Sequence, residues 1–332
     1  MTTAAGQGAG SDSTARGASL GLVGCGRWGR FILRDLNSLG CLVSVAEHAE
    51  ANRGFAAANG AVAVVRELEA LPEDLDGYLV STPASTHAGV IERLLERGRP
   101  IFVEKPLSVD AGSARRLAGR AAGRLFVLDK WRYHPGVEAL AALARSGELG
   151  PLQGLRMTRV QWGRPHRDVD AIWTLLPHDL AIAMEILGTL PPARAAAAEF
   201  EGGQPAGLLG ILGTAPNVVL EVSARRPRNC RRVELICRDG VAVLDGAYAN
   251  HVALYRDAAG AGAGRDAPEP ERRELSTELP LLRELRAAVE FLAGGPAPRG
   301  SASDGATIVE RIAELRAMAG LSPHGGVEPR QR

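Results

Sequence analysis

Lysine is nearly missing from this chain: of 39 Lys and Arg residues in 332, only Lys105 and Lys130 are lysine. Arginine keeps a surface soluble as well as lysine does, so such a bias strips exposed positions first. Lysine should survive where a compact ammonium with a tunable pKa is needed, which an always-charged guanidinium cannot supply. An excess of either charge is also lacking. The formal net charge of +1 gives no electrostatic footprint for nucleic acid or an anionic membrane. The four cysteines, Cys25, Cys41, Cys230 and Cys237, show no metal-type spacing and read as neutral thiols of a reducing cytoplasm; no metal is expected. No apolar run approaches the roughly 18 residues a bilayer requires. The first 18 residues lack the apolar block of a secretion signal and read as a flexible tail, so the expected location is cytoplasmic.

What is present is the balance of an ordinary globular protein, 45% hydrophobic and 23% charged. The length suggests two domains. The first ordered stretch, SLGLVGCGRWGRFILRDLNSLG (19–40), runs from a short apolar strand through Gly24, Gly26 and Gly29 into a helix with Ile32, Leu36 and Leu39 on one side. In such a loop the glycines allow a tight turn, close approach of a pyrophosphate and tight helix–strand packing, and the helix N-terminus faces the phosphates. Glu47 ends the next strand, CLVSVAEH, at the position that takes the ribose hydroxyls of NAD. Its charge would repel a 2'-phosphate, so NAD is expected, with Arg27 and Arg53 leaving NADP open.

Further strands at 61–65, 76–83, 100–106 and 124–129 alternate with helical stretches. That alternation predicts an α/β fold with a doubly wound parallel sheet over 19–130. Ligands of such sheets bind beyond the carboxyl ends of the strands. Two polar clusters fall there: Ser81, Thr82, Pro83, Thr86 and His87 after one strand, and Glu104, Lys105 and Pro106 after another. Ser85 or Thr86 would also serve as a helix N-cap.

GLVGCGRWG, STPASTH, VEKPLS, WRYHP (131–135) and the stretch around LPHDL (176–180) together resemble the Gfo/Idh/MocA oxidoreductases, named after glucose-fructose oxidoreductase, inositol dehydrogenase and a rhizopine catabolism protein. The resemblance covers nearly the whole chain apart from the tails, and VEKP is its most specific signal. It implies a Rossmann domain followed by an α+β domain with an open, mainly antiparallel sheet. By the same resemblance, Gly24, Gly26, Arg27, Trp28, Gly29, Glu47, Ser81, Thr82, Pro83, His87, Glu104, Lys105 and Pro106 would line the cofactor, and Pro106 would be cis. Lys105 would polarise the reacting oxygen, and His178 would exchange the proton, its ordinary pKa suiting that task.

Four residues before this histidine the family pattern has Asp; here Thr174 stands, which cannot carry charge. Asp179 points about 100° away on an ideal helix and is no simple replacement. Pro177 would kink the helix. Lys130, Arg132 and Tyr133, at the crossing between domains, and His166 are the candidate substrate contacts.

The second half, 131–320, reads as strands joined in hairpin fashion, with two closing helices capping that domain and a tail after 320. ARRPRNCRR (224–232) reads as a solvated sheet edge guarded by charge, and 256–274 as a mobile surface loop. The implied activity is NAD(P)-dependent hydride transfer on a polyhydroxylated small molecule such as a sugar, sugar nucleotide or cyclitol. The implied assembly is a homodimer or homotetramer through the second sheet. The rivals are imine or dihydrodiol oxidation on the same scaffold, and a non-catalytic cofactor-sensing regulator.

Overall fold

The computed structural model describes residues 17–163, 168–256 and 269–324. The first sheet is built from β1 (Ser19–Val23), β2 (Leu42–Ala46), β3 (Ala63–Val65), β4 (Gly77–Val80), β5 (Ile101–Glu104) and β6 (Leu125–Leu128). Its order is β3-β2-β1-β4-β5-β6 and every pair is parallel, the order of a dinucleotide-binding sheet. The central strands are short apolar runs because both faces are covered: Leu22, Leu79, Val80, Phe102 and Val103 are inaccessible or nearly so. The crossover helices are α1 (Gly29–Ser38), α2 (Glu50–Ala58), α3 (His87–Leu95) and α4 (Ala111–Arg120). Asp110 caps α4 by accepting the Ser113 N–H at 2.7 Å.

After β6 the chain makes a short 3-10 turn, Lys130–Tyr133, and enters α5 (Pro135–Ser146), which His134 caps through Nδ1 at 3.0 Å from the Gly136 nitrogen. The second sheet then forms from β7 (Leu152–Trp162), β8 (Ala193–Glu201), β9 (Gln204–Leu212), β10 (Asn217–Ser223), β11 (Arg225–Cys237), β12 (Gly240–Asp245), β13 (His251–Arg256) and β14 (Glu271–Glu274). Its order is β14-β13-β12-β11-β7-β10-β9-β8, antiparallel throughout the described residues except for the β7–β10 pair. Between β7 and β8 lies α6 (Ala171–Leu187), a helix buried on nearly all sides. Such a helix is mostly apolar because it has almost no solvent face, and its ionisable groups, His178, Asp179 and Glu185, each have an ionisable partner.

Three expectations change. The arginine run guards an edge only locally: it opens β11, whose residues from Arg232 on lie between β12 and β7 while those before pair with β7 alone, with a register shift between Arg225 and Cys230 that accommodates Pro227. Neighbouring carboxylates absorb its charge, Arg226 pairing with Glu199 at 2.8 Å and Glu221 at 3.1 Å. Within the stretch read as a loop, Glu271–Glu274 is β14, paired with β13; residues 257–268 lie outside the described residues.

Nor do both closing helices cap the second sheet. In α7 (Pro280–Leu292), Leu281, Leu285 and Ala288 join the core of the first sheet. Phe291 packs edge-on to Phe126 with ring centres 4.8 Å apart. Finally α8 (Ala302–Met318) bridges the halves, Arg316 reaching the Asp170 carboxylate at the start of α6 at 2.6 Å.

Candidate active site

The carboxyl ends of β5 and β6 meet α6, Lys105 reaching Thr174 and Asp129 reaching His178, and the glycine loop after β1 adjoins them through Trp28 and Glu104. In the glycine loop the three glycines have different reasons. Gly24 adopts φ +91°, and a Cβ there would lie 2.6 Å from the Ser81 carbonyl oxygen; a Cβ on Gly29 would lie 2.3 Å from that of Gly24. These two are required by the fold. A Cβ on Gly26 would meet nothing within 4 Å, so this glycine borders open space at the start of α1, where a pyrophosphate fits. Glu47, just past β2, is held beside this loop: its Oε2 accepts the Cys25 N–H at 2.7 Å and its Oε1 that of Ala49 at 2.9 Å. Arg53 donates to the Glu47 carbonyl at 3.1 Å, and Arg27 lines the groove between α1 and α2. The residues present therefore fit a nicotinamide dinucleotide.

The two polar clusters are stapled together by His87, buried to 1% exposure. Its Nδ1 lies 2.7 Å from the Pro106 carbonyl oxygen and its Nε2 3.0 Å from that of Thr82. The neutral imidazole donates to one of these carbonyls and packs against the other, between the loop after β4 and the cis Lys105–Pro106 turn after β5, and neither nitrogen faces a cofactor. Burial pushes its pKa down. Neither Ser85 nor Thr86 caps α3. The Thr86 hydroxyl bonds the Pro83 carbonyl at 2.7 Å and the Thr82 hydroxyl at 2.9 Å, while the Ser85 N–H reaches Asp168 at 3.2 Å.

Around the lysine, Trp28 donates its indole N–H to Glu104, and the Lys130 ammonium stands over the same indole. Lys105 Nζ donates to the Thr174 carbonyl at 3.4 Å. Burial lowers the Lys105 pKa, with Glu104 and Asp129 opposing it. Despite Pro177, α6 is continuous from 171 to 187, so Thr174 and His178 stay one turn apart on it. The Thr174 hydroxyl turns back to the Asp170 carbonyl at 2.9 Å; only its carbonyl serves the cluster. His178 Nδ1 lies 3.2 Å from Asp129 Oδ2. Burial, then Lys105, holds the His178 pKa well below its ordinary value. Asp129 is pushed up to about 7 by burial, against the pull of the Trp131 N–H and Lys105.

Arg132 lines a small cavity with Lys105, Asp129 and Pro177, but its charge and the Tyr133 hydroxyl are engaged at the junction between the halves. Arg132 is spent at the junction on Glu185 at 2.9 Å and Asp304 at 2.8 Å. The Tyr133 hydroxyl accepts the Arg299 N–H at 2.9 Å. His166 lies outside the described residues. Asp129, Arg159 and Glu284 are the groups that sequence reasoning missed. Arg159 is buried, pairs with Asp179 at 2.8 Å and lies over the Trp131 ring at 4.4 Å. Glu284, from α7, is buried with Oε1 unpartnered, its pKa raised well above the usual carboxylate range first by burial and then by Glu104 and Asp129. A signal for Asp129 was available: it ends β6 on the same edge of the sheet as Glu104. For Glu284 there was none, because α7 reaches the site only through the tertiary fold.

A parallel sheet of this order, with a glycine loop and a lysine–histidine cleft at its carboxyl edge, defines a dinucleotide-dependent oxidoreductase. Residues 18–127 match the model of the oxidoreductase family with the NAD-binding Rossmann fold, GFO_IDH_MocA. The chain is 27% identical over 274 residues to UDP-N-acetylglucosamine 3-dehydrogenase of Acidithiobacillus ferrooxidans, covering 80% of this chain and 85% of that one. It is 35% identical over 144 residues to the rhizopine catabolism protein MocA of Rhizobium meliloti, 40% of this chain and 44% of that protein.

The solved structure of the Acidithiobacillus protein superimposes with a TM-score of 0.77 at 22% identity, over 91% of this chain and 97% of that one. GenD2 from gentamicin A biosynthesis, solved in complex with NAD, does so with a TM-score of 0.77 at 22% identity, over 95% and 97%. These two structural likenesses are likenesses of fold. The first domain, residues 18–127, is thus of the Gfo/Idh/MocA oxidoreductase type, and the likeness to the Acidithiobacillus dehydrogenase extends over most of the chain.

Proposed function

We propose that this protein is an NAD(P)-dependent oxidoreductase that moves a hydride between the nicotinamide and a secondary alcohol or ketone of a sugar, sugar nucleotide or cyclitol. The observation that carries the reading is the meeting of Lys105, from the end of β5, with Thr174 and His178 of α6 beside the glycine loop. Bound nicotinamide supplies the hydride acceptor or donor. Lys105 donates a hydrogen bond to the reacting oxygen and favours its alkoxide character. His178, kept neutral by burial and by Lys105, takes the hydroxyl proton in oxidation and returns it in reduction. Glu47 takes the adenosine ribose hydroxyls, which favours NAD over NADP. The sugar and cyclitol class is supported by what the relatives act on by name.

A panel of free sugars, nucleotide sugars and cyclitols, with their keto forms, followed at the reduced-nicotinamide absorbance with NAD and NADP, tests the reading. Turnover on at least one pair is expected, and Lys105→Ala should lower kcat by about 10²-fold or more with cofactor affinity kept. Tight cofactor binding without turnover on any member would favour the regulatory reading instead. The outer face of β8 and β9 exposes Leu209 and Ile211 at 54% and 40%, which supports assembly into a dimer or tetramer through the second sheet; light scattering after gel filtration reads it.

A further inference from the structure

We propose that Asp129 is the positioning carboxylate of this site: it holds His178 by Nδ1 and leaves Nε2 for the substrate hydroxyl, doing from the first sheet what an acid at position 174 would do from α6. The inference rests on the oxidoreductase reading above and adds to it a residue that replaces the missing acid.

The geometry leaves one carboxylate for the task. A base within α6 would look first to its own helix, but the Thr174 hydroxyl is committed to the Asp170 carbonyl at 2.9 Å, and Asp179 is committed to Arg159 at 2.8 Å. Asp129 lies 49 residues away in sequence, yet its Oδ2 is 3.2 Å from His178 Nδ1. Its own orientation is set: Oδ1 accepts the Trp131 N–H at 3.1 Å as the cap of the 3-10 turn, and the side chain is buried to 5% exposure. The Trp131 ring meets the imidazole edge-on at 6.5 Å. Nε2 of His178 has no partner among the described residues, and the side chain keeps 18% exposure, so its free nitrogen is the one left for a ligand.

Charge makes the carboxylate necessary. After burial, the strongest electrostatic influences on His178 are Lys105, Arg159, Lys130 and Arg231, all cationic, and Asp129 is the acidic group in contact with it. Those acting on Asp129 include Lys105, Arg159 and Glu104, with Glu284 packed behind. An imidazole among four cations accepts a proton poorly unless an anion meets the imidazolium. In alcohol oxidation the O–H bond breaks, the proton goes to Nε2, and the oxygen's electron pair forms the C=O bond as the hydride leaves carbon for the nicotinamide. The positive charge then on the ring is met by Asp129 through Nδ1–H, which also fixes the tautomer. Because Asp129 ends β6 and His178 lies in α6, the relay exists only while the two halves of the molecule are packed together.

The test compares the wild type with Asp129→Asn, a replacement that keeps the cap on the Trp131 N–H. Histidine-labelled ¹⁵N spectra, with His178 assigned by His178→Gln, report the tautomer in the substrate-free protein. The expected result is protonated Nδ1 in the wild type, a flip to protonated Nε2 in Asp129→Asn, and a kcat for alcohol oxidation lower by about 10²-fold or more with cofactor Kd within threefold. Asp129→Asn/Thr174→Asp should recover at least tenfold of that loss. An unchanged His178 tautomer in Asp129→Asn overturns the proposal, whatever happens to turnover. So does a flipped tautomer with kcat within threefold of wild type. If the wild type turns over no substrate while the tautomer flips, the oxidoreductase reading falls and the positioning contact stands.

Discussion

The Lys130 ammonium stands 4.7 Å from the centre of the Trp28 ring, and Trp28 donates its indole N–H to Glu104, the residue directly before Lys105. Both lysines of the chain therefore converge on one cluster between the glycine loop and α6. An ammonium on an indole face contributes about 0.5–2 kcal/mol. Here it places a second cation close enough to lower the pKa of the first. The scarcity of lysine elsewhere is explained by what arginine can replace. These two positions need a compact ammonium in a confined space, where a planar fork fits poorly.

The glycine loop separates folding from binding. Gly24→Ala puts a Cβ at φ +91° and 2.6 Å from the Ser81 carbonyl oxygen, and should cost about 1–3 kcal/mol, seen as a lower Tm. Gly26→Val faces open space, so Tm should hold while Kd for NAD rises tenfold or more. Thermal melts and fluorescence titration check both. Wild-type affinity in Gly26→Val would mean that the pyrophosphate lies elsewhere.

Asp129 predicts a pH-dependent stability. Its folded pKa is raised to about 7 from 3.8, so the stability tied to its protonated form is full below about pH 4 and is lost as pH rises through 7. Asp129→Asn has no such loss. Chemical denaturation at pH 4.5 and pH 8 should show the Asn variant gaining on the wild type at the higher pH, and an equal difference at both would contradict the raised pKa.

Arg132 should matter for stability and not for substrate. Its guanidinium, 12% exposed, joins Glu185 of α6 to Asp304 of α8. Arg132→Ala leaves Asp304 without its cation and Glu185 with Arg299 alone at 3.5 Å, and should cost about 3 kcal/mol in denaturant midpoint experiments, with KM for substrate unchanged where the variant folds. A tenfold rise in KM at full stability would return Arg132 to the substrate site.

Much of the site was legible because its loops are set locally. A strand, a glycine turn and a helix are written in adjacent residues, and the carboxyl-edge rule places Glu104 and Lys105 beside Gly26 without knowledge of the rest. The i, i+4 spacing likewise joined Thr174 to His178 correctly as neighbours on α6. It could not tell that the Thr174 hydroxyl folds back on its own helix, so the side chain expected in the cleft contributes only a carbonyl. His87 was placed in the right loop and given the wrong task, since only the packed structure shows both its nitrogens facing backbone carbonyls.

By itself the sequence determined the parallel sheet, its glycine loop and the residues at its carboxyl edge, because strand length, turn glycines and helical periodicity are properties of neighbouring residues. Tertiary structure alone decided which carboxylate meets His178, that β11 from Arg232 on lies inside its sheet, and that α7 returns to bury Glu284 beside Lys130. Those contacts join residues tens to more than a hundred positions apart. They depend on how two sheets and three helices share one core, which no local pattern encodes.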